Sequence, residues 1–287
     1  MAVNKIDFRS SSADTSRAMS EAIWADCPRA AIRETPGIGF FFYDDFIDLP
    51  LAPTLTTQIA FGRYKAFASS GCTIDKVTPI NSVETMGGTL KLSIDTDNDS
   101  ASLAFAYPYA LLSGLTSNSG KTWFECCIAQ KSVATNMAST IIGLAETEQW
   151  TLATGVPLNG GDSPTNAASF IGFQVPEDGL GAVNTCYSDR ATSFTAIQST
   201  ITTLAAYTFT KLGIVYDPFA AGADCIQFYV NGVKTSTNFS KSALQALTNL
   251  DANGLAPIIA TCADSGGTAH DFYMKWWSWA GLFPSAY

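Results

Sequence analysis

The sequence predicts an all-β fold: an antiparallel β-sandwich preceded by an N-terminal arm that contains a short helix. Three features of the last third carry this reading. Lys211-Leu-Gly-Ile-Val-Tyr-Asp217 and Ile226-Gln-Phe-Tyr-Val230 read as strands. Asn231-Gly232 then turns the chain into Val233-Lys-Thr235. Asn-Gly between two such runs is the strongest short-range hairpin pattern, because both residues tolerate positive φ. Finally, Asp271-Phe-Tyr-Met-Lys-Trp-Trp-Ser-Trp279 closes the chain as an aromatic strand, after a short helix over Ser242 to Leu250 and a strand at Pro257-Ile-Ile-Ala260.

Residues 1–39 differ from the rest. Ser10 to Ser16 is a polar run, and Ser16 to Asp26 predicts a short helix with Met19 and Ile23 on one side. Pro28 stops it, since proline lacks the amide donor and restricts the residue before it. Pro36-Gly37 marks a turn. The segment is too short to bury a core of its own, so it is expected to pack as an arm, on its own sandwich or on a neighbour. Met19, Ile23, Trp24, Ile32 and Arg33 are its candidate partner-binding residues, with Trp24 as the anchor.

Residues 40–287 form the predicted sandwich domain. Gly39 to Phe46 is an aromatic opening strand, broken by Leu49-Pro50 and Ala52-Pro53. Thr89-Leu-Lys-Leu-Ser-Ile-Asp95 alternates cleanly, placing Leu90, Leu92 and Ile94 on one face. Ser102 to Tyr107 follows. Trp123-Phe-Glu-Cys-Cys-Ile128 puts Phe124, Cys126 and Ile128 inward, and Thr140 to Ala145 is its expected partner. Leu152 to Asn166, with its glycines and prolines, reads as a long loop. Ala168 to Val175 and Val183 to Tyr187 flank a turn at Pro176-Glu-Asp-Gly179, and Thr200 to Phe209 fits either strand or loop. In the closing strand, alternation puts Trp277 and Trp279 on one face and Trp276 on the other with Phe272 and Met274. There is no internal repeat and no second domain of usable size.

Composition narrows the function classes. Apolar residues make up 47% of the chain, with 18 Phe, 10 Tyr and 6 Trp, enough for a large core. Charged residues are 14%, against roughly 25% for ordinary soluble domains. Such a surface suits a protein that works inside an assembly. The net charge is −9 and no cluster of four basic residues occurs, which argues against nucleic acid and against anionic membranes. No run of 18 apolar residues exists to span a bilayer. The first ten residues contain no apolar signal core, so synthesis and retention in a cytoplasm are expected. The seven cysteines, odd in number and irregular in spacing, are then expected to be buried small hydrophobes.

The chemical motifs are weak. Gly114 to Thr122 resembles a phosphate loop, but five residues separate its glycines instead of four, and a strand follows where a helix is needed. Asp95, Asp97 and Asp99 have calcium-loop spacing, but Ser100 and Ala106 stand where that loop needs Gly and Glu. An acidic solvated turn is the simpler reading. His270 is the one histidine, which rules out a multi-histidine metal site and leaves no triad pattern. Glu146-Thr-Glu148 has the same-face spacing of a glycosidase pair, with no third acid nearby to tune it. No catalytic, cofactor-binding or metal-binding residue is assigned.

The order of these segments resembles a family. Phe40 to Phe46, Gly88-Thr-Leu-Lys-Leu92, Trp123-Phe-Glu125, Ile142-Gly-Leu144, Ile171-Gly-Phe173, Phe228-Tyr-Val-Asn-Gly232 and the Trp-rich final strand follow one another as in concanavalin A-like, laminin G-like jelly-roll domains. More narrowly, the chain resembles virion proteins of tailed bacteriophages built on that domain. The glucanase signature of the fold, Glu-x-Asp-x-x-Glu, is absent, and Asp95, Asp97, Asn98 and Asp99 are a loose analogue of the lectin calcium loop. The resemblance implies a non-enzymatic capsid decoration or cement protein, made in the host cytoplasm and placed on the capsid surface. Its expected partners are the major capsid protein or other virion proteins and further copies of itself, with a trimer the suggested oligomer. The alternative is a glycan-binding adhesin on the virion surface or fibre.

Overall fold

In the computed structural model of this chain the described residues are 18–47, 59–69, 72–77, 88–94, 99–106, 120–134, 138–146, 169–190, 193–220, 222, 224–247, 249–250, 254–263 and 270–283. The described residues open with two short helices, α1 (Glu21–Trp24) and α2 (Arg29–Glu34), and a 3-10 turn at Pro36–Ile38. The strands that follow are β1 (Gly39–Asp44), β2 (Ile59–Phe61), β3 (Tyr64–Ala68), β4 (Thr73–Val77), β5 (Thr89–Ile94), β6 (Ser100–Phe105), β7 (Thr122–Gln130) and β8 (Ser139–Glu146). They continue with β9 (Phe170–Val175), β10 (Ala182–Ser188), β11 (Thr195–Thr203), β12 (Thr210–Tyr216), β13 (Ile226–Val230) and β14 (Val233–Lys234). Helix α3 (Lys241–Gln245) precedes β15 (Leu255–Cys262) and β16 (His270–Leu282).

The strands form two antiparallel sheets, as the sequence predicts for a sandwich. One runs β14-β13-β12-β7-β16-β5-β4, and β1 also pairs with β16. The other runs β11-β10-β9-β8-β15-β6-β3-β2. Strand β16 is long enough to serve two neighbours along one edge: His270 to Met274 pair with β5, and Trp277 to Leu282 pair with β1. The hairpin at Asn231-Gly232 is present, with φ of 49° and 79°, the left-handed pair that a tight primed turn requires.

Several sequence expectations are corrected. Among the described residues the helix expected over Ser16 to Asp26 spans only Glu21–Trp24 and ends four residues before Pro28; a second helix starts directly after that proline, because proline costs nothing where the amide needs no intrahelical partner. The Thr-rich segment Thr200 to Phe209 divides: its first residues end the edge strand Thr195–Thr203, and residues 204–209 lie outside any strand. Thr140 to Ala145 is not the partner of β7. It lies in the opposite sheet, where β8 pairs with β9 and β15, while β7 pairs with β12 and β16. Local alternation shows which residues face inward; it does not select the partner strand. The register of β16 against β7 shifts between Met274 and Trp276, and this irregularity inserts a residue into the alternation. Phe272 and Met274 therefore share the core with Trp277 and Trp279, and Trp276 alone turns outward to stack on Tyr43.

The core lies between the inner faces. Phe105 from one sheet meets Trp277 and Trp279 from the other, each at 5.3 Å between ring centroids, and Phe173 meets Phe228 edge-on at 5.6 Å. All seven cysteines are reduced and buried, as their spacing implies.

His270 is a polar exception in this interior. It opens β16 opposite Ile94, is 2% exposed, and neither ring nitrogen has a hydrogen-bond partner. Burial pushes its pKa from 6.5 down to about 4. The unfolded chain therefore takes up the proton first. Stability should be full above pH 6.5 and fall by about 3 kcal/mol as pH drops toward 4. Asp271, in which burial is outweighed by the Ser93 hydroxyl and the charges of Lys91 and Lys131, titrates lower and acts in a more acid window. Urea midpoints measured against pH should show this loss in the native chain and not in His270→Phe; an equal loss in both would remove His270 as its source.

Candidate interaction site

A strand on one side of a sandwich normally alternates an inward apolar residue with an outward polar one. The outward positions of β7, β12, β13 and β16 break that rule: Trp123, Val215, Tyr229 and Ala280 are apolar and at most 8% exposed. They are covered by the arm. Ile23, Trp24, Cys27 and Ile32 complete this second apolar cluster on the outside of the sheet. Burial of each large side chain is worth roughly 1.5–3 kcal/mol relative to exposure.

Two features of the sheet fix where the arm sits. The first is Gly213 in β12. A Cβ built there would lie 2.3 Å from Cδ1 of Ile23, so the missing side chain is the seat of Ile23. The second is Glu125 in β7, directly between Gly213 and Ser278 of the flanking strands and fully buried. Its Oε2 accepts from the Ser20 amide at 2.9 Å and from the Trp24 indole at 2.7 Å. Both donors share Oε2 while Oε1 has no partner among the described residues, so burial outweighs them and favours the protonated form. Lys211 adds a hydrogen bond from Nζ to the Ala18 carbonyl at 3.2 Å. At the other end of α1, Asp26 accepts from the Trp123 indole at 2.9 Å and pairs with Lys121, which also binds Asp217 at 2.8 Å.

Beside the docked arm lies a groove of about 1240 Å³ between α2 and β1, lined by Met19, Ile32, Pro36 and Phe40 to Tyr43. Arg29 and Arg33 stand in its lining, one helical turn apart. Among the five predicted partner-binding residues, Ile23, Trp24 and Ile32 are thus buried against the chain's own sheet. Met19 lies half-buried in the groove wall, and Arg33 is exposed. The spacing did not point to Glu125, Gly213, Phe41 or Arg29. An isolated glycine inside a strand is a recognised mark of close approach by another segment, so Gly213 was the readable clue.

The groups considered for catalysis are occupied or enclosed. Glu146 is 2% exposed and gripped by Arg190, whose Nε donates at 3.1 Å and whose Nη2 also pairs with it. Glu148, Asp95, Asp97, Asn98 and most of Gly114 to Thr122 lie outside the described residues. Asp99 accepts from the Ser69 hydroxyl at 2.9 Å. Burial drives the thiols up, to about 12 for Cys27 and about 11 for Cys225, so neither is a nucleophile near neutrality. Among the described residues no three His, Cys, Asp or Glu side chains gather to hold a metal.

The two sheets and their connections define a concanavalin A-like, legume-lectin-like sandwich. No protein-family profile matches the sequence, and no curated protein matches it. Solved structures do. A protein of unknown function from Shewanella oneidensis superposes with a TM-score of 0.54 at 12% identity, over 91% of this chain and 95% of that one. Peanut lectin, in a complex with a nine-residue peptide, gives 0.51 at 14% identity over 85% and 98%. The Emp47p carbohydrate recognition domain gives 0.50 at 9% identity over 85% and 95%. At these identities the likeness is one of fold.

Two substitutions test the arm joint. Gly213→Val should expel Ile23 and weaken docking by about 1.5–3 kcal/mol, seen as faster hydrogen exchange at residues 20–32 with the sheets still protected. Unchanged exchange there would contradict the packing. Burial raises the pKa of Glu125, against the opposing Ser20 and Trp24 donors and the charge of Lys211. A raised folded value means that its stabilisation is complete below 4.5 and is lost as pH climbs through the raised pKa. Glu125→Gln keeps an acceptor for both donors, so arm protection should become independent of pH over that interval; a persistent slope would place the titration elsewhere.

Proposed function

We propose that this chain is a non-enzymatic binding protein of an assembly, and specifically a decoration or cement protein of a tailed-phage capsid, made in the host cytoplasm and seated at capsomer junctions. The observation that supports this most is the apolar groove along β1, held open by an arm already folded onto its own sheet. A preorganised apolar surface loses little freedom on association, so more of its buried area appears as affinity. The low charge content and the side chain of Tyr43, 38% exposed beside the groove, agree with a surface that meets protein. The expected partner is the major capsid protein, together with further copies of the chain in a trimer.

The lectin-like fold favours a second reading, a glycan-binding adhesin. Sedimentation of the purified chain with shells assembled from the major capsid protein separates the two. Saturable binding at a fixed ratio per capsomer, with a higher shell melting temperature, is expected of a cement protein. Failure to bind shells, with saturable binding on a glycan array, would replace the cement reading by the adhesin one.

A further inference from the structure

Among the described residues five cations of this acidic chain are paired with carboxylates, Lys91 with Asp75 being one. Lys121 pairs with Asp26 and Asp217, Lys131 with Asp271, Arg190 with Glu146, and Lys234 with Asp224. Arg29 and Arg33, like Arg63 and Lys65, are outside these pairs, and they are the two cations in the groove lining. Neither guanidinium makes an ion pair or side-chain hydrogen bond among the described residues, and Glu34 on the same helix engages neither. They lie four residues apart, on one side of α2, and both line the groove. Opposite them is the aromatic wall of β1, with Phe41 braced edge-on by Trp24 at 5.9 Å. At about 1240 Å³ the groove also exceeds the roughly 300–1,000 Å³ usual for a small-molecule site, which suits a run of side chains better than a single compact ligand.

Two unneutralised guanidinia over an apolar floor, on a chain of net charge −9, are complementary to one kind of occupant. We propose that this groove receives a short segment of a partner protein in which aliphatic or aromatic side chains are flanked by carboxylates. The apolar side chains pack on Met19 and Phe41, and the carboxylates take the planar forks of Arg29 and Arg33. The inference rests on the reading of the chain as a protein-binding module and names the chemistry of that partner; it does not depend on the partner being a capsid.

The test uses the full chain and a displayed library of random twelve-residue peptides. Selected peptides should carry Asp or Glu within a few positions of Leu, Ile, Phe or Trp. A synthetic peptide made from them should bind Arg29→Glu/Arg33→Glu about tenfold or more weakly, and bind the native chain less tightly as salt rises. Ala30→Trp, which fills the groove without changing charge, should also block it. Unchanged hydrogen exchange at residues 20–32 in each variant would show that the arm remains docked. No enrichment, enrichment without acidic bias, or equal binding to the charge-reversed chain overturns the proposal. Binding that appears only after residues 2–17 are deleted overturns it as well, since the groove would then seat the chain's own N-terminus. So does an oligomer that the charge reversal dissolves, which would make a second copy the occupant. Specific peptides without shell binding would leave the groove standing and remove the capsid reading; shell binding with no groove peptides would do the reverse.

Discussion

The pairing of β16 is the constraint on which the rest of the molecule depends. This one strand joins β7 along one side and both β5 and β1 along the other, so it stitches the opening strand of the sandwich to its centre. The added residue near Met274 lets its two halves both present large side chains to the core. Without that shift, alternation would turn Phe272 and Met274 away from Trp277 and Trp279, and the core between the sheets would lose half of its central strand. The position of β1 also follows from this pairing. β1 supplies Phe41 and Tyr43 to the outer side, where the arm and the groove are built.

The outer side of that sheet works as a second, smaller core. It resembles a domain interface more than a solvent face: an apolar patch, a buried carboxylate at its centre, and a short helical segment laid across it. Glu125 gives the contact direction, because only one placement of α1 brings the Ser20 amide and the Trp24 indole to the same oxygen. Apolar packing alone would hold the arm but would not fix its register. The unfilled space over Gly213 sets the remaining coordinate. Trp24 therefore packs within the chain, on the first of the two surfaces that the sequence allowed for the arm, and what stays accessible here is the strand edge and the exposed side of α2.

Much of the architecture was legible in the sequence. The Asn231-Gly232 hairpin, the alternation of Thr89 to Ile94 and the strand before Asp217 state their own local conformation, and the structure follows them. Other features were hidden for definite reasons. A strand such as β8 carries no local mark of which strand it will join, because its side chains are apolar on both faces. The shift in β16 depends on pairing with β7, so simple alternation put Phe272 and Met274 on the wrong face. Helix α2 is six residues long and stabilised by what it covers more than by its own propensity. The candidate site combines residues of the arm, β1, β7 and β12, and only the arm residues stood out in sequence. Glu125 and Gly213 become meaningful once Trp24 and Ile23 are seen above them.

The order of the strands along the chain also sets the order in which the molecule can be made. β16 comes after every strand it joins, and more than two hundred residues separate it from β1. While a ribosome is still producing the earlier segments, β1, β5 and β7 have no central partner and their aromatic faces remain open. Closure of this sheet is therefore a late, long-range event, slow by the nature of its contacts and exposed to aggregation until it occurs. Those faces should stay open in nascent chains until β16 has been made, and chains lacking β16 should yield insoluble product.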